Sequence, residues 1–185
     1  NLIFERLKNK SKGDGITLMN KDNSEKIWQI TKQYDNEKLK DDVSSLGIGI
    51  DIYQETINKT FREYLVNFNY LIRVMENYGF VPLDDEDARK MGLPSGVGNF
   101  KELFEQLEND VERNKNIKKD IKKSLHMTDN EKTISFLNKY FVFKKIRNVD
   151  AKSVQIESEE DELQEEENSV RKKSDKKGKK IRLVE

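Results

Sequence analysis

The chain has 185 residues, of which 38% are charged and 34% are hydrophobic, and its formal net charge is zero. This apolar supply is small for one packed domain of that length, so we expect part of the chain to lie outside any hydrophobic core. Cysteine is absent, which excludes disulfides, thiolate metal sites and a cysteine nucleophile, and the single histidine, His126, cannot form a histidine cluster.

No targeting or membrane segment is visible. There is no run of about 18 apolar residues, which predicts no membrane-spanning helix, and the first residues lack the pattern of a signal peptide. The sequence begins at Asn1, inside what already reads as an apolar helical turn. We therefore expect a fragment of a longer polypeptide.

The first elements are a helix and two strands. Residues 2–8 place their apolar side chains on one helical face, and Gly13-Asp14-Gly15 ends or turns that helix. Residues 27–34 alternate apolar and polar side chains, as residues 48–53 do, so each predicts a half-buried strand. A polar connection separates the two runs, which favours an antiparallel strand pair.

The strongest helix signal starts at Thr60. Thr60 is a good N-cap and Glu63 stands where it would complete a capping box. Apolar residues then recur at helical spacing as far as Tyr78. The helix is expected to stop at Gly79, and residues 80–83 read as a short strand.

Two glycine-containing stretches do not predict a nucleotide site. The glycines at 47 and 49 lie inside or at the start of a strand, whereas a dinucleotide or methyl-donor loop follows a strand and opens a helix. Residues 92–98 lack the Lys-Ser/Thr that follows a phosphate-binding P-loop. Structural glycines and a turn-rich loop are the better interpretations.

The next segment predicts two capped helices and a strand. Asn99 and Glu102 form a plausible cap pair for a helix, whose continuation over residues 112–123 is mostly charged. Thr128 and Glu131 form a second Thr-x-x-Glu capping box. Residues 140–143 then read as a strand.

The composition changes after Val149, so we place a boundary between residues 1–150 and 151–185. The second segment carries an acidic block followed by a basic block, with almost nothing to bury, which is typical of disorder. The basic block could contact RNA phosphates or serve as a nuclear address, or it could simply be a solvated tail that folds back on the acidic block.

The residues alone predict part of an α/β domain without a catalytic constellation. No spacing pairs His126 with a catalytic partner, so a surface or packing role is favoured, and the many carboxylates follow no catalytic pattern.

Three motifs point to a protein family: Glu63-Tyr64-Leu65-Val66, Tyr78-Gly79-Phe80 and Tyr140-Phe141-Val142-Phe143-Lys144. Their residues and their order over about residues 1–147 resemble the substrate-binding half of mRNA cap (guanine-N7) methyltransferases, most closely the multifunctional capping enzymes of large DNA viruses. The resemblance implies the C-terminal half of a Rossmann-like, S-adenosylmethionine-dependent methyltransferase sheet with an inserted antiparallel strand pair.

The resemblance also implies two substrate-binding residues. In that family the glutamate of the Glu-aromatic-Leu-Val motif accepts hydrogen bonds from the cap guanine and the tyrosine of the last strand lines the same pocket, which correspond here to Glu63 and Tyr140. The alternatives are that Glu63 only closes its capping box and that Tyr140 is an ordinary half-buried strand residue. No catalytic residue or metal ligand is expected in this chain.

The implied cofactor is S-adenosyl-L-methionine, whose site would lie mainly upstream, since the family's glycine-rich loop and acidic residue are not in this sequence. The implied partners are the capped RNA 5′ end, a stimulatory methyltransferase subunit, and upstream triphosphatase and guanylyltransferase domains, in a cytoplasmic viral factory or virion rather than the nucleus. Two other hypotheses remain: a catalytically inactive capping-enzyme subunit that stimulates a partner or binds RNA, and a charged interaction module whose resemblance is accidental.

Overall fold

The first half of the chain forms a four-stranded antiparallel sheet with one helix against it. The computed structural model describes residues 1–114 and 121–155. Helix α1 spans Leu2–Leu7, and the strands β1 (Gly15–Met19), β2 (Lys26–Lys32), β3 (Gly49–Gln54) and β4 (Lys59–Tyr64) pair in chain order. The helix at residues 2–8 and the antiparallel strands near 27–34 and 48–53 are thereby confirmed. Strand β1 was not predicted.

The core lies on one face of this sheet. The register sets Ile30 opposite Ile16 on one side and Ile52 on the other, so the three side chains share a face. Phe4 and Leu7 of α1 are buried against that face, and Phe4 stacks on Tyr34 with ring centroids 5.3 Å apart. Cross-strand alternation therefore produces the main apolar cluster of the described residues.

The predicted helix opening at Thr60 is wrong. Residues 59–64 are strand β4, in which Phe61 lies opposite Ile52 and Glu63 lies opposite Ile50. Pairing with β3 satisfies the backbone groups of alternate residues of β4, and this long-range contact overrides the local capping pattern of Thr60 and Glu63. Helix α2 has Asn67 as its N-cap and spans Phe68–Asn77.

The second half contains short helices and two pairs of short strands. The helices are α3 (Asp85–Lys90), α4 (Phe100–Arg113), α5 (Lys122–Leu125) and α6 (Asp129–Ser135), and the strands are β5 (Phe80–Pro82), β6 (Val97–Asn99), β7 (Lys139–Phe141) and β8 (Phe143–Lys145). Strand β5 pairs with β8 and β6 pairs with β7, both antiparallel. The protein is thus a mixed α/β structure with antiparallel sheets.

Several predictions in this half are confirmed and two need correction. Both remaining capping boxes, Asn99 with Glu102 and Thr128 with Glu131, begin helices. The predicted single strand at 140–143 is instead β7 and β8, interrupted at Val142, whose N–H donates to the Gly96 carbonyl at 2.8 Å. The end of the predicted turn-rich loop is strand β6.

The tail prediction falls largely outside the described residues. Residues 151–155 are helical and Val154 is buried, so structure continues past the expected boundary at 150. Residues 156–185, which hold both charge blocks, lie outside the description, as do residues 115–120 of the mostly charged segment that follows the helix predicted from Asn99.

Candidate functional site

Glu63 lies on the edge strand of the four-stranded sheet. Every residue of β4 is exposed, and β4 is the last strand in the sheet order. The Glu63 carboxylate forms no hydrogen bond or ion pair with any residue in the described ranges. Both carboxylate oxygens are therefore available to accept hydrogen bonds from a ligand. Glu63 does not cap a helix, because the helix starts at Phe68.

Tyr140 lies at the centre of β7, against a glycine of its partner strand. A Cβ atom on Gly98 would come within 2.5 Å of the Tyr140 Oη and 2.7 Å of its ring, so the tyrosine fills the space that a side chain there would need. The Tyr140 hydroxyl lies 3.4 Å from the Ser95 Oγ. This arrangement orients the ring and leaves it half-buried.

Neither Glu63 nor Tyr140 lines the cavity that lies between their two segments. Their sequence neighbours share it. Val66, the last residue of the Glu63 motif, and Lys139, which precedes Tyr140, line the same cavity of about 420 Å³. The structure thus brings the two predicted segments together at one cavity.

The cavity is bounded by α1, the segment 37–41, the start of α2 and Lys139. Its polar centre is Asp41, whose carboxylate accepts hydrogen bonds from the Asn67 Nδ2 at 2.7 Å and the Asn69 Nδ2 at 3.2 Å. These two side-chain hydrogen bonds lower the pKa of Asp41 below its ordinary value. The cavity therefore holds an anionic oxygen pair and two amide groups.

Asn67 also fixes the start of α2. Its Oδ1 accepts the backbone N–H groups of Asn69 at 3.0 Å and Tyr70 at 3.3 Å, which is the N-cap interaction. Its Nδ2 donates in addition to the Lys40 carbonyl at 2.7 Å. One side chain thus joins the helix to the segment carrying Asp41.

Aromatic and cationic side chains complete the wall near β7. The Phe68 ring lies edge-on to Phe141, with centroids 6.1 Å apart, and the Lys139 Nζ lies 5.0 Å from the Phe68 ring centroid. Successive strand residues alternate in direction, so Lys139 and Phe141 face α2 while Tyr140 faces Gly98. Such a ring offers a stacking surface and the lysine a positive charge.

Sequence reasoning missed Asp41 and Asn67. Asn67 precedes a run of helical apolar residues and is a favoured N-cap type, so its local signal was present but lay inside the helix predicted from Thr60. Asp41 is 26 residues away from Asn67 and belongs to a polar connection, where no spacing rule singles it out.

His126 is exposed, in keeping with the predicted surface role. Among residues 1–114 and 121–155, no group of three or more His, Asp or Glu side chains is arranged to hold a metal ion. Within the same ranges, none of the helices combines the length and the apolar character needed to cross a membrane.

No protein-family model matches the chain, and no curated protein matches its sequence.

Proposed function

We propose that this chain is the cap-guanine-binding part of an S-adenosylmethionine-dependent mRNA (guanine-N7) methyltransferase with a Rossmann-like sheet, with residues 1–150 as the domain portion. The observation that supports this most is the shared cavity, since Val66 belongs to one motif of the family resemblance and Lys139 adjoins the other. Its volume of about 420 Å³ is within the usual range of roughly 300–1,000 Å³ for small-molecule sites.

The chemistry of Glu63 suits guanine. A carboxylate has two acceptor oxygens and can take the N1–H and N2–H₂ donors of guanine together, whereas the corresponding edge of adenine presents an acceptor at N1. Because Glu63 has no protein partner among the described residues, binding a base does not require breaking an existing ion pair.

Tyr140 would supply contact area and one hydroxyl. Its ring is already oriented by Gly98 and its hydroxyl has only a long contact, 3.4 Å, to Ser95. The positive charge of Lys139 at the cavity wall suits the cap phosphates. In this proposal the chain contributes binding and orientation of the guanine, and N7 needs no general base because it already carries a lone pair.

The residues of this chain do not fit the methyl donor. A Cβ on Gly96 would lie 2.2 Å from the Leu83 carbonyl oxygen, and one on Gly98 would meet Tyr140, so both glycines accommodate protein atoms. Gly49 lies in β3 beneath the Arg62 side chain. These three glycines therefore accommodate protein atoms and not a cofactor, and the proposal assigns the S-adenosylmethionine site mainly to residues upstream of this chain.

Binding of the dinucleotide GpppG, with ApppA as the adenine counterpart, tests the proposal by calorimetry. We expect GpppG to bind more tightly than ApppA to the full chain. In Glu63→Gln a donor replaces one acceptor oxygen, so GpppG affinity should fall about 10- to 100-fold while ApppA affinity stays unchanged. Glu76→Gln, an exposed carboxylate on α2, is the matched control and should behave like the wild type.

The Tyr140→Phe variant tests the role of the Tyr140 hydroxyl. It keeps the ring over Gly98 and removes only the hydroxyl, so the fold is retained and a loss of GpppG affinity reports that polar group. Equal affinity for GpppG and ApppA, or no effect of Glu63→Gln, would overturn the proposal and favour an inactive, stimulatory or RNA-binding subunit.

A further inference from the structure

The outer edge of β4 presents unpaired backbone groups. The Leu65 N–H donates to the Ile48 carbonyl at 2.9 Å, and hydrogen-bonded positions alternate in an antiparallel pair, so residues 59, 61 and 63 bond to β3. The N–H and C=O groups of Thr60, Arg62 and Tyr64 consequently point away from the sheet. No backbone segment in the described ranges pairs with them.

The opposite edge of the sheet, strand β1, makes a hydrogen bond to another part of the chain. At β1 the Met19 carbonyl accepts a hydrogen bond from the Asn130 side chain of α6 at 2.9 Å, and Ile134 and Leu137 pack against the main core cluster. One end of the β1 edge is thus bonded within the chain, whereas the outward groups of β4 have no such bond in the described ranges. An open edge strand is a template for pairing with another strand.

The side chains on the core side of β4 have a self-complementary order. Lys59, Phe61 and Glu63 alternate onto one face, opposite Gln54, Ile52 and Ile50 of β3. Phe61 is 41% exposed although it adjoins Ile52, which is 9% exposed. On the face of β4 that continues the core, the side chains are therefore a cation, an aromatic ring and an anion in chain order.

We propose that β4 pairs antiparallel with β4 of a second copy, around a two-fold axis at Phe61, to form one continuous eight-stranded sheet. In this register Lys59 of each copy lies opposite Glu63 of the other, which gives two ion pairs, and the two Phe61 rings face each other. The outward groups of Thr60 then bond to those of Arg62 across the axis.

Neighbouring registers are disfavoured by charge. Centring the axis on Arg62 sets two guanidinium groups opposite each other and places Phe61 against Glu63. Centring it on Thr60 removes Glu63 from any opposite charge in the strand. Only the Phe61-centred register combines opposite charges, an aromatic pair and outward-facing backbone groups.

Sedimentation velocity of the full chain, from about 5 to about 500 µM, tests the dimer, because even a Kd of about 1 mM would place roughly a third of the chains in dimers at the upper concentration. We expect a reversible monomer–dimer equilibrium. Lys59→Glu makes both cross-strand pairs repulsive and should weaken the dimer about tenfold.

The charge swap Lys59→Glu with Glu63→Lys restores opposite charges and should restore dimerisation. Lys21→Glu, an exposed turn residue, applies the same change in net charge away from β4 and should leave the dimer unchanged. Thr60→Pro removes one outward N–H without touching the bonds to β3 and should abolish the dimer while circular dichroism shows the fold retained.

A monomer at all concentrations would overturn the proposal, and so would failure of the charge swap to restore a dimer that Lys59→Glu weakens. The proposal does not depend on guanine binding, because it rests on the backbone edge and the charge order of β4. Since both would use the Glu63 carboxylate, GpppG should shift the wild-type equilibrium towards monomer if the two proposals hold together.

Discussion

The four-stranded region (residues 1–65) and the two-sheet region (residues 66–146) are stabilised in different ways. Nine of the twelve buried hydrophobic residues in the described chain form one cluster, and all nine belong to the four-stranded region. In the two-sheet region the buried hydrophobic residues are Ala88 and Phe104. Its elements are joined instead by caps, close glycine contacts and the ion pair between Lys144 and Asp87, with Nζ and Oδ2 2.8 Å apart.

This difference implies a difference in local stability. Burial of apolar area is the dominant favourable term in folding, whereas exposed ion pairs contribute little. We therefore expect the four-stranded region to open last and the two-sheet region, which holds Tyr140 and one wall of the cavity, to open first. The candidate site spans the rigid and the adaptable parts of the molecule.

The largest effect should come from the centre of the main cluster. Ile30→Ala removes a side chain that is 2% exposed and is flanked by Ile16 and Ile52, so the free energy of unfolding should fall by about 3–4 kcal/mol. Ile146→Ala, at a residue 57% exposed, is the control and should cost under about 0.5 kcal/mol. Chemical denaturation measures both, and equal effects would remove the contrast between the regions.

A matched pair of glycine substitutions compares the regions directly. A Cβ on Gly15 would lie 2.0 Å from the Ile30 carbonyl oxygen, which is backbone of the central sheet and cannot move aside. A Cβ on Gly98 meets the end of the Tyr140 side chain, which can swing away. Thermal unfolding should show a loss of about 3 kcal/mol for Gly15→Ala and about 1 kcal/mol for Gly98→Ala. The reverse order would contradict the description of the two regions.

Alkaline pH should weaken the four-stranded region through Tyr34. Burial, with a smaller contribution from the Glu5 charge, raises the pKa of Tyr34 to about 12 from its ordinary 10.0. The folded state thus keeps a proton that the unfolded state loses, so this contribution is complete below pH 10 and is lost as the pH rises to 12. The loss should approach about 2–3 kcal/mol in denaturation curves.

Tyr34→Phe supplies the control for that measurement. The Tyr34 hydroxyl is buried with no hydrogen-bond partner among the described residues, so the variant should be as stable as the wild type or more stable at pH 7. Its stability should also decline less between pH 10 and 12. A decline identical to that of the wild type would assign the pH dependence to other groups.

The smallest predicted effect tests where α2 begins. Asn67→Ala removes the N-cap and should destabilise the protein by about 1 kcal/mol, whereas Thr60→Ala on the exposed edge strand should cost under about 0.5 kcal/mol. Amide exchange of α2 should accelerate in the first variant alone. Faster amide exchange of α2 in Thr60→Ala would instead indicate that the helix starts at Thr60.

Strands β2 and β3 of the four-stranded region could be predicted because their signal is local alternation. Ile30 and Ile52 stand in period-2 runs that require no knowledge of their partners. The Thr60 and Glu63 pattern shows the limit, because the same spacing that begins α6 at Thr128 here lies in a strand. Pairing with β3 decided the outcome, and that contact is invisible in a window of a few residues.

The candidate site was only partly predictable for a similar reason. Glu63 and Tyr140 came from a family resemblance, and their roles stay predictions. The cavity beside them depends on Asp41 meeting Asn67 across 26 residues, an encounter that the fold creates and no motif encodes.

The most direct test of the central claim is the position at which a guanine binds. Backbone amide shifts of the ¹⁵N-labelled chain should be followed while GpppG is added, with ApppA as the comparison. We predict guanine-specific changes at Glu63, at Val66 to Asn69 and at Lys139 to Phe141. Identical changes with both dinucleotides, or changes confined to residues away from the cavity, would contradict it.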